Sequence, residues 1–337
     1  MDFRSDNVSG AHPAILEAVV RANQGVASPY GADAITERLT ARFSELFERE
    51  VAVAVVSTGT AANALALSLY APPWGAIYCD AHAHIAVDEC GAPELFTAGA
   101  KLVGLHGQDG KLDARTLEAA IPKRGFVHEV QPAAVSISQI AESGLTYAPG
   151  EIAALSEVAR KHGLALHVDG ARFANAVASL GASPAALTWQ AGVDVLSFGA
   201  TKNGALGAEA VVLFDPRKLE ELGYRRKRAG HLLSKMRYAS AQLEAYLADD
   251  LWLKNARHAN AMAARLAEGL TSRGHAPVLP VHANELFVPI PEAEATALRE
   301  RGFSFYDWPP LGADARRLVT AWDTRAEDVE ALLRTVG

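Results

Sequence analysis

The sequence predicts an α/β protein: a large domain on a mostly parallel sheet, then a smaller C-terminal α+β domain. Over the first two-thirds of the chain, short β-branched runs alternate with stretches of helical apolar spacing. Strands separated by helices pair in parallel, with helices on both faces of the sheet. After about residue 240 the texture changes to a long Ala- and Leu-rich helical stretch and weaker strands. The expected division is 1–240 for the large domain with an N-terminal arm and 241–337 for the small one.

The elements follow in order. Residues 11–22 and 35–48 carry apolar positions at helical spacing. Residues 51–57 (VAVAVVS) form a β-branched run ended by Thr58-Gly59-Thr60, after which an Ala- and Leu-rich helix begins. Further strands are expected at 75–79, 101–105, 133–138, 164–169, 193–198 and 209–214, with helices notably at 149–162 and 171–180. A long helix is expected over 240–270, then weaker strands at 285–290 and 316–320, and a closing helix at 325–335.

The 337 residues are half apolar and carry a net charge of −7. That balance offers no field for nucleic acid or an anionic membrane. No stretch reaches the roughly 18 uninterrupted apolar residues of a membrane span. The opening MDFRSDNVSG has no apolar run, so no signal peptide is expected. Two cysteines, Cys79 and Cys90, give no disulfide framework. A cytoplasmic location follows as an expectation.

Ligands of parallel sheets bind beyond the carboxyl ends of the strands, which selects five segments. Ser57-Thr58-Gly59-Thr60 joins a strand to a helix. Its small residues and the free amides of the next helical turn suit a phosphate, though a tight turn with a threonine cap has the same pattern. His167-Val168-Asp169-Gly170 ends a strand with His167 and Asp169 on one face. A carboxylate there can keep a pyridinium nitrogen protonated, as a bound pyridoxal ring requires; a helix-capping Asp is the plainer reading. In Ser197-Phe198-Gly199-Ala200-Thr201-Lys202, a lysine sits among small residues after a buried-looking strand. Partial desolvation would make its amine a nucleophile toward an aldehyde. Asp80-Ala81-His82-Ala83-His84 is a competing signal, because His-x-His is also a metal-ligand spacing. Arg172 and Arg317 are candidates for gripping a carboxylate bidentately. The basic run Arg225–Arg228 reads most simply as a solvated helix end.

Together these segments resemble the family of low-specificity L-threonine aldolases and aromatic amino acid β-eliminating lyases, within the fold-type I, aspartate aminotransferase-like pyridoxal-phosphate enzymes. The most specific piece is HVDGARFANA at 167–176. It is joined by SFGATKNG at 197–204, AHIAVDECGAPE at 83–94, STGTAAN at 57–63 and PYGAD at 29–33. The resemblance runs from Arg4 to Thr320, nearly the whole chain.

The resemblance implies pyridoxal 5'-phosphate as cofactor and no metal. It implies a Schiff base to Lys202, with Thr201 beside it, Asp169 on the pyridine nitrogen and His84 stacked on the ring. Gly59 and Thr60 would hold the phosphate; Ser5, Arg172 and Arg317 would hold the substrate carboxylate. Tyr30 and the region of Arg228 would lie near a neighbouring subunit's site, in a homotetramer built as a dimer of dimers. The sequence departs from the family in the loop Gln139–Gly144, where many members carry a histidine and Glu142 stands here. That leaves open which group is the base, and the choice between threonine and allo-threonine. The implied reaction is retro-aldol cleavage of a β-hydroxy-α-amino acid to glycine and an aldehyde. Two alternatives stand beside it: β-elimination or racemisation on the same scaffold, and a metal-dependent hydrolase built on His82 and His84.

Overall fold

A computed structural model describes residues 1–336. Seven strands form the main sheet: β1 (Ala52–Val56), β2 (Gly75–Asp80), β3 (Lys101–Leu105), β4 (Gln131–Ser138), β5 (Ala165–Gly170), β6 (Val195–Phe198) and β7 (Glu209–Leu213). Their order is β1-β7-β6-β5-β4-β2-β3. The pairs β6-β5, β5-β4, β4-β2 and β2-β3 are parallel. β7 alone runs against both its neighbours, β1 and β6. Six strands therefore end at one edge of the sheet, and β7 begins there. The near-continuous burial of β2, β5, β6 and β7 is that of strands covered on both faces.

A second sheet holds β8 (Glu285–Pro289), β9 (Tyr306–Asp307) and β10 (Ala315–Val319), antiparallel in the order β8-β10-β9. β9 was not anticipated, because two exposed residues present no periodicity to read. The expected helix over 240–270 is instead two helices, Arg237–Leu247 and Leu251–Thr271. Asp249 and Asp250 between them adopt φ of 51° and 55°. Aspartate tolerates this left-handed backbone better than most residues, and helical apolar spacing runs through such a break unmarked.

Local chemistry sets the helix starts. Pro13 opens the helix Pro13–Ala22, where a missing amide costs nothing. Asp33 caps the helix Ala34–Leu46, accepting from the amides of Ile35 at 3.1 Å and Thr36 at 3.0 Å.

Beneath the main sheet lies an aromatic core in which Phe43 meets Phe198 edge-on at 5.0 Å and Trp252 packs 5.9 Å from Phe198. The helix Leu251–Thr271 bridges two cores: Trp252 and Ala256 face the large one, Ala263, Leu266 and Leu270 the small one. Phe3 is buried in the small core, and its backbone bonds to Ser304 and Val319. The N-terminal segment is thus clasped by the C-terminal sheet. No described helix is long and apolar enough to cross a membrane.

Candidate active site

At the shared strand edge lies a cavity of about 280 Å³. Strand ends and the turns after them supply most of its wall: Ser57–Thr60 after β1, Ser138, Ile140 and Glu142 after β4, Asp169–Arg172 at the end of β5, and Thr201–Lys202 after β6. His84, Glu89, Asn63 and Asn7 complete it, and Glu209 joins from the start of β7.

Thr58 caps the helix Gly59–Ser68, its hydroxyl accepting from the Ala61 amide at 3.2 Å. The amides of Gly59 and Thr60, at the helix start, have no acceptor within the helix and border the cavity. The segment is a capped turn whose free amides border the cavity.

Asp169 is buried and accepts from the Ala171 amide at 3.0 Å and from Asn63 at 2.8 Å. The same Asn63 amide group donates to Glu89 at 2.8 Å. Glu89 in turn bonds His84 Nδ1 at 2.8 Å. A hydrogen-bonded chain thus runs His84–Glu89–Asn63–Asp169. The bond to Glu89 raises the His84 pKa against the opposing effect of burial. Behind Asp169, His167 is locked between Ser136 at 2.9 Å and Ser197 at 3.0 Å, and burial lowers its pKa to about 4. It is a neutral imidazole tying three adjacent strands together.

Arg172 is fully encased. It donates to Asp6 through Nε at 2.7 Å and Nη2 at 3.0 Å, and lies 3.6 Å from Glu285. Burial would lower its pKa, but the charges of Asp6 and Glu285 outweigh it and raise it. Burial likewise raises the Glu142 pKa, helped by the Glu285 charge and opposed by Arg172, Lys202 and His84.

Lys202, Asp169, His84, Gly59, Thr60, Arg172, Thr201 and Glu142 all line this one cavity. Arg317, Ser5 and Tyr30 do not border it. Arg317 bonds Glu285 at 2.6 Å, one ion pair removed from Arg172. Ser5 caps a short turn through the Asn7 amide. Tyr30 is half exposed, with Lys227 4.8 Å over its ring. His82 also lies outside the cavity, 55% exposed and turned toward Asp80. Among the described residues the cluster with metal-ligand spacing is His84, Glu89 and Asp169, without His82, so the His-x-His pair does not converge.

Four residues escaped the sequence reading: Asp6, Asn63, Glu89 and Glu209. Asp6 and Asn63 meet partners 166 and 106 positions away, and Glu89, though five positions from His84, is tied to Asn63 26 positions back. Glu209 stands at a strand start, because β7 runs against its neighbours, and the strand-end rule does not reach it.

Buried polar atoms without partners line this cavity: Thr201 Oγ1, Asn63 Oδ1 and Glu89 Oε2. Such atoms are rare in folded proteins and mark a place for a polar ligand. The donor set fits pyridoxal phosphate: helix-end amides and hydroxyls for an anion, a lysine for an aldehyde and a buried carboxylate for a ring nitrogen.

The fold and the site define an enzyme of the fold-type I pyridoxal-phosphate architecture. Comparison with known proteins narrows this. The family model described as beta-eliminating lyase matches residues 2–293. A low specificity L-threonine aldolase of Pseudomonas aeruginosa is 42% identical over 99% of this chain and 96% of its own length. One from a Pseudomonas species is 41% identical over 99% and 97%. The solved threonine aldolase of Leishmania major superposes with a TM-score of 0.93 at 32% identity, covering 100% of this chain and 99% of that one. An aspartate aminotransferase of Thermotoga maritima, 12% identical, shares the fold with a TM-score of 0.76 over 100% and 90%. The chain belongs to the beta-eliminating lyase family.

Proposed function

We propose that this enzyme cleaves L-threonine, L-allo-threonine or related β-hydroxy-α-amino acids to glycine and an aldehyde, using pyridoxal 5'-phosphate. The observation that carries the reading is the convergence of Lys202, Asp169, His84 and the Gly59–Thr60 helix end on one cavity. The similarity to L-threonine aldolases over nearly the full length supports the substrate class.

The roles follow from position. The Gly59 and Thr60 amides would hold the phosphate, and Lys202 would be the covalent attachment point. Asp169, its geometry set by Ala171 and Asn63, would keep a proton on the ring nitrogen. When bound, pyridoxal phosphate supplies an electron sink for the bond broken at Cα. Arg172 receives the substrate carboxylate, its guanidinium plane fixed by Asp6, with Arg317 reinforcing the arrangement through Glu285. A carboxylate held in this way would orient the bond to be broken. His84, oriented by Glu89, takes the β-hydroxyl proton. Glu142 lines the same cavity and influences which β-configuration is accepted.

The enzyme works as a cytoplasmic homo-oligomer, a tetramer built as a dimer of dimers, on this reading. The exposure of Tyr30 and its cationic neighbour Lys227 outside their own cavity supports a role toward an adjoining subunit. The two cysteines, unpaired, fit a reducing compartment.

The test is to incubate the purified protein and its Lys202→Ala variant with threonine and pyridoxal 5'-phosphate, measuring acetaldehyde and glycine. Equimolar release by the native enzyme, and none by the variant, is expected. Ammonia and a keto acid in place of acetaldehyde would assign the enzyme to elimination instead.

A further inference from the structure

Three carboxylates in or beside the cavity feel the charge of Lys202: Asp6, Glu142 and Glu209. Asp6 is committed to Arg172. Glu142 shares the fields of Arg172 and His84. Glu209 is different. It is 6% exposed, borders the cavity, and is held by backbone amides of the turn that carries Lys202. One oxygen accepts from the Ala200 amide at 2.9 Å, the other from the Thr201 amide at 3.4 Å. Topology puts it there: β7 is antiparallel, so its first residue pairs with Val56 at the end of β1, while Ala210 pairs with Phe198 at the end of β6.

We propose that Glu209 is a positioning residue for Lys202, fixing the turn through its two amides and serving as counter-charge to the lysine ammonium whenever the amine is free. The inference rests on the assignment of Lys202 as the attachment point. A carboxylate buried among apolar strand ends, with amides as its neutral partners, is costly unless a cation shares its site. Burial accordingly raises the Glu209 pKa to about 7, against the opposing pull of the Thr201 side chain, the two amides and Lys202. Above that pH the carboxylate is ionised.

The two functions separate by substitution. Glu209→Gln keeps an acceptor for the turn but removes the charge; Glu209→Asp keeps the charge but draws it back from the amides. The readout is the visible band formed when pyridoxal 5'-phosphate is added to cofactor-free protein, followed against pH, with borohydride trapping and peptide mapping to identify the lysine. Glu209→Gln is expected to move the pH midpoint of band formation down by about one unit, because loss of a neighbouring anion destabilises the ammonium. Glu209→Asp is expected to leave the midpoint in place and slow the reaction severalfold. If Gln does not fold, the Asp variant decides, and a native rate in it overturns the proposal. A native midpoint in a folded Gln variant also overturns it. Absence of a trapped label on Lys202 in the native protein overturns this inference and the proposed function together. A label on native Lys202 with no effect of Glu209 overturns this inference alone.

Discussion

Arg172 and Asp6 form a buried two-bond ion pair, at 2.7 and 3.0 Å, across 166 positions of sequence. Removing one partner of such a pair strands the other charge in low dielectric. Asp6→Asn should therefore lower unfolding stability by roughly 3 kcal/mol, with Glu285 limiting the loss. It should also raise KM for the amino acid, since the guanidinium loses its fixed plane. Denaturant titration and steady-state kinetics measure both. An unchanged KM would detach Arg172 from substrate binding.

His84 takes its raised pKa from Glu89, so the two predict a pH signature. As a base, His84 works in its neutral form, above its folded pKa. Glu89→Gln removes the anion, lowers that pKa, and should shift the acid limb of kcat/KM toward lower pH. His84→Asn should cut kcat by roughly 10²–10⁴-fold if it is the base. The linkage to stability has the opposite sense. A raised histidine contributes stability fully present below its unfolded value near 6.5, lost as pH rises through the folded value. Glu89→Gln should flatten that part of the stability profile, and urea titrations across pH would show it.

Gly199 leaves no room for a side chain. A Cβ there would stand 2.6 Å from the Ala171 carbonyl oxygen and 2.7 Å from its Cα. Gly199→Ala should push the turn after β5 away from the end of β6, at a cost of about 1–3 kcal/mol. Because Ala171 lies between Asp169 and Arg172, cofactor affinity should fall with stability. Fluorescence titration with pyridoxal 5'-phosphate separates the two losses.

Trp252 couples the core to the site. It is buried against Phe198 and Tyr246, and its carbonyl accepts from Asn203, the residue after Lys202. Trp252→Ala should cost about 3–5 kcal/mol, read by thermal or chemical denaturation.

The ends of the parallel strands were legible because they combine β-branched runs with small residues where the backbone turns. Lys202, Asp169 and the Gly59–Thr60 turn sit in such places, and the sheet brings them together. What escaped was any relation set by distant packing. Glu89 and Asn63 act through a chain whose links lie 5, 26 and 106 positions apart, a pattern no periodicity encodes. The break at Asp249–Asp250 was hidden for a related reason: apolar spacing reports which face is buried, and both helices bury theirs.

The clasp of residues 3–6 by the C-terminal sheet also sets an order of assembly. Phe3 bonds to Ser304 and Val319, and Asp6 accepts from Asn284 as well as Arg172. On the ribosome, Asp6 emerges long before Asn284 and Val319. The nascent chain can build the large sheet, but the residue that fixes Arg172 cannot settle until Asn284 and the strand after it have been made. The Arg172–Asp6 corner of the cavity therefore takes its final form only after the segment carrying Asn284 and Val319 has been made.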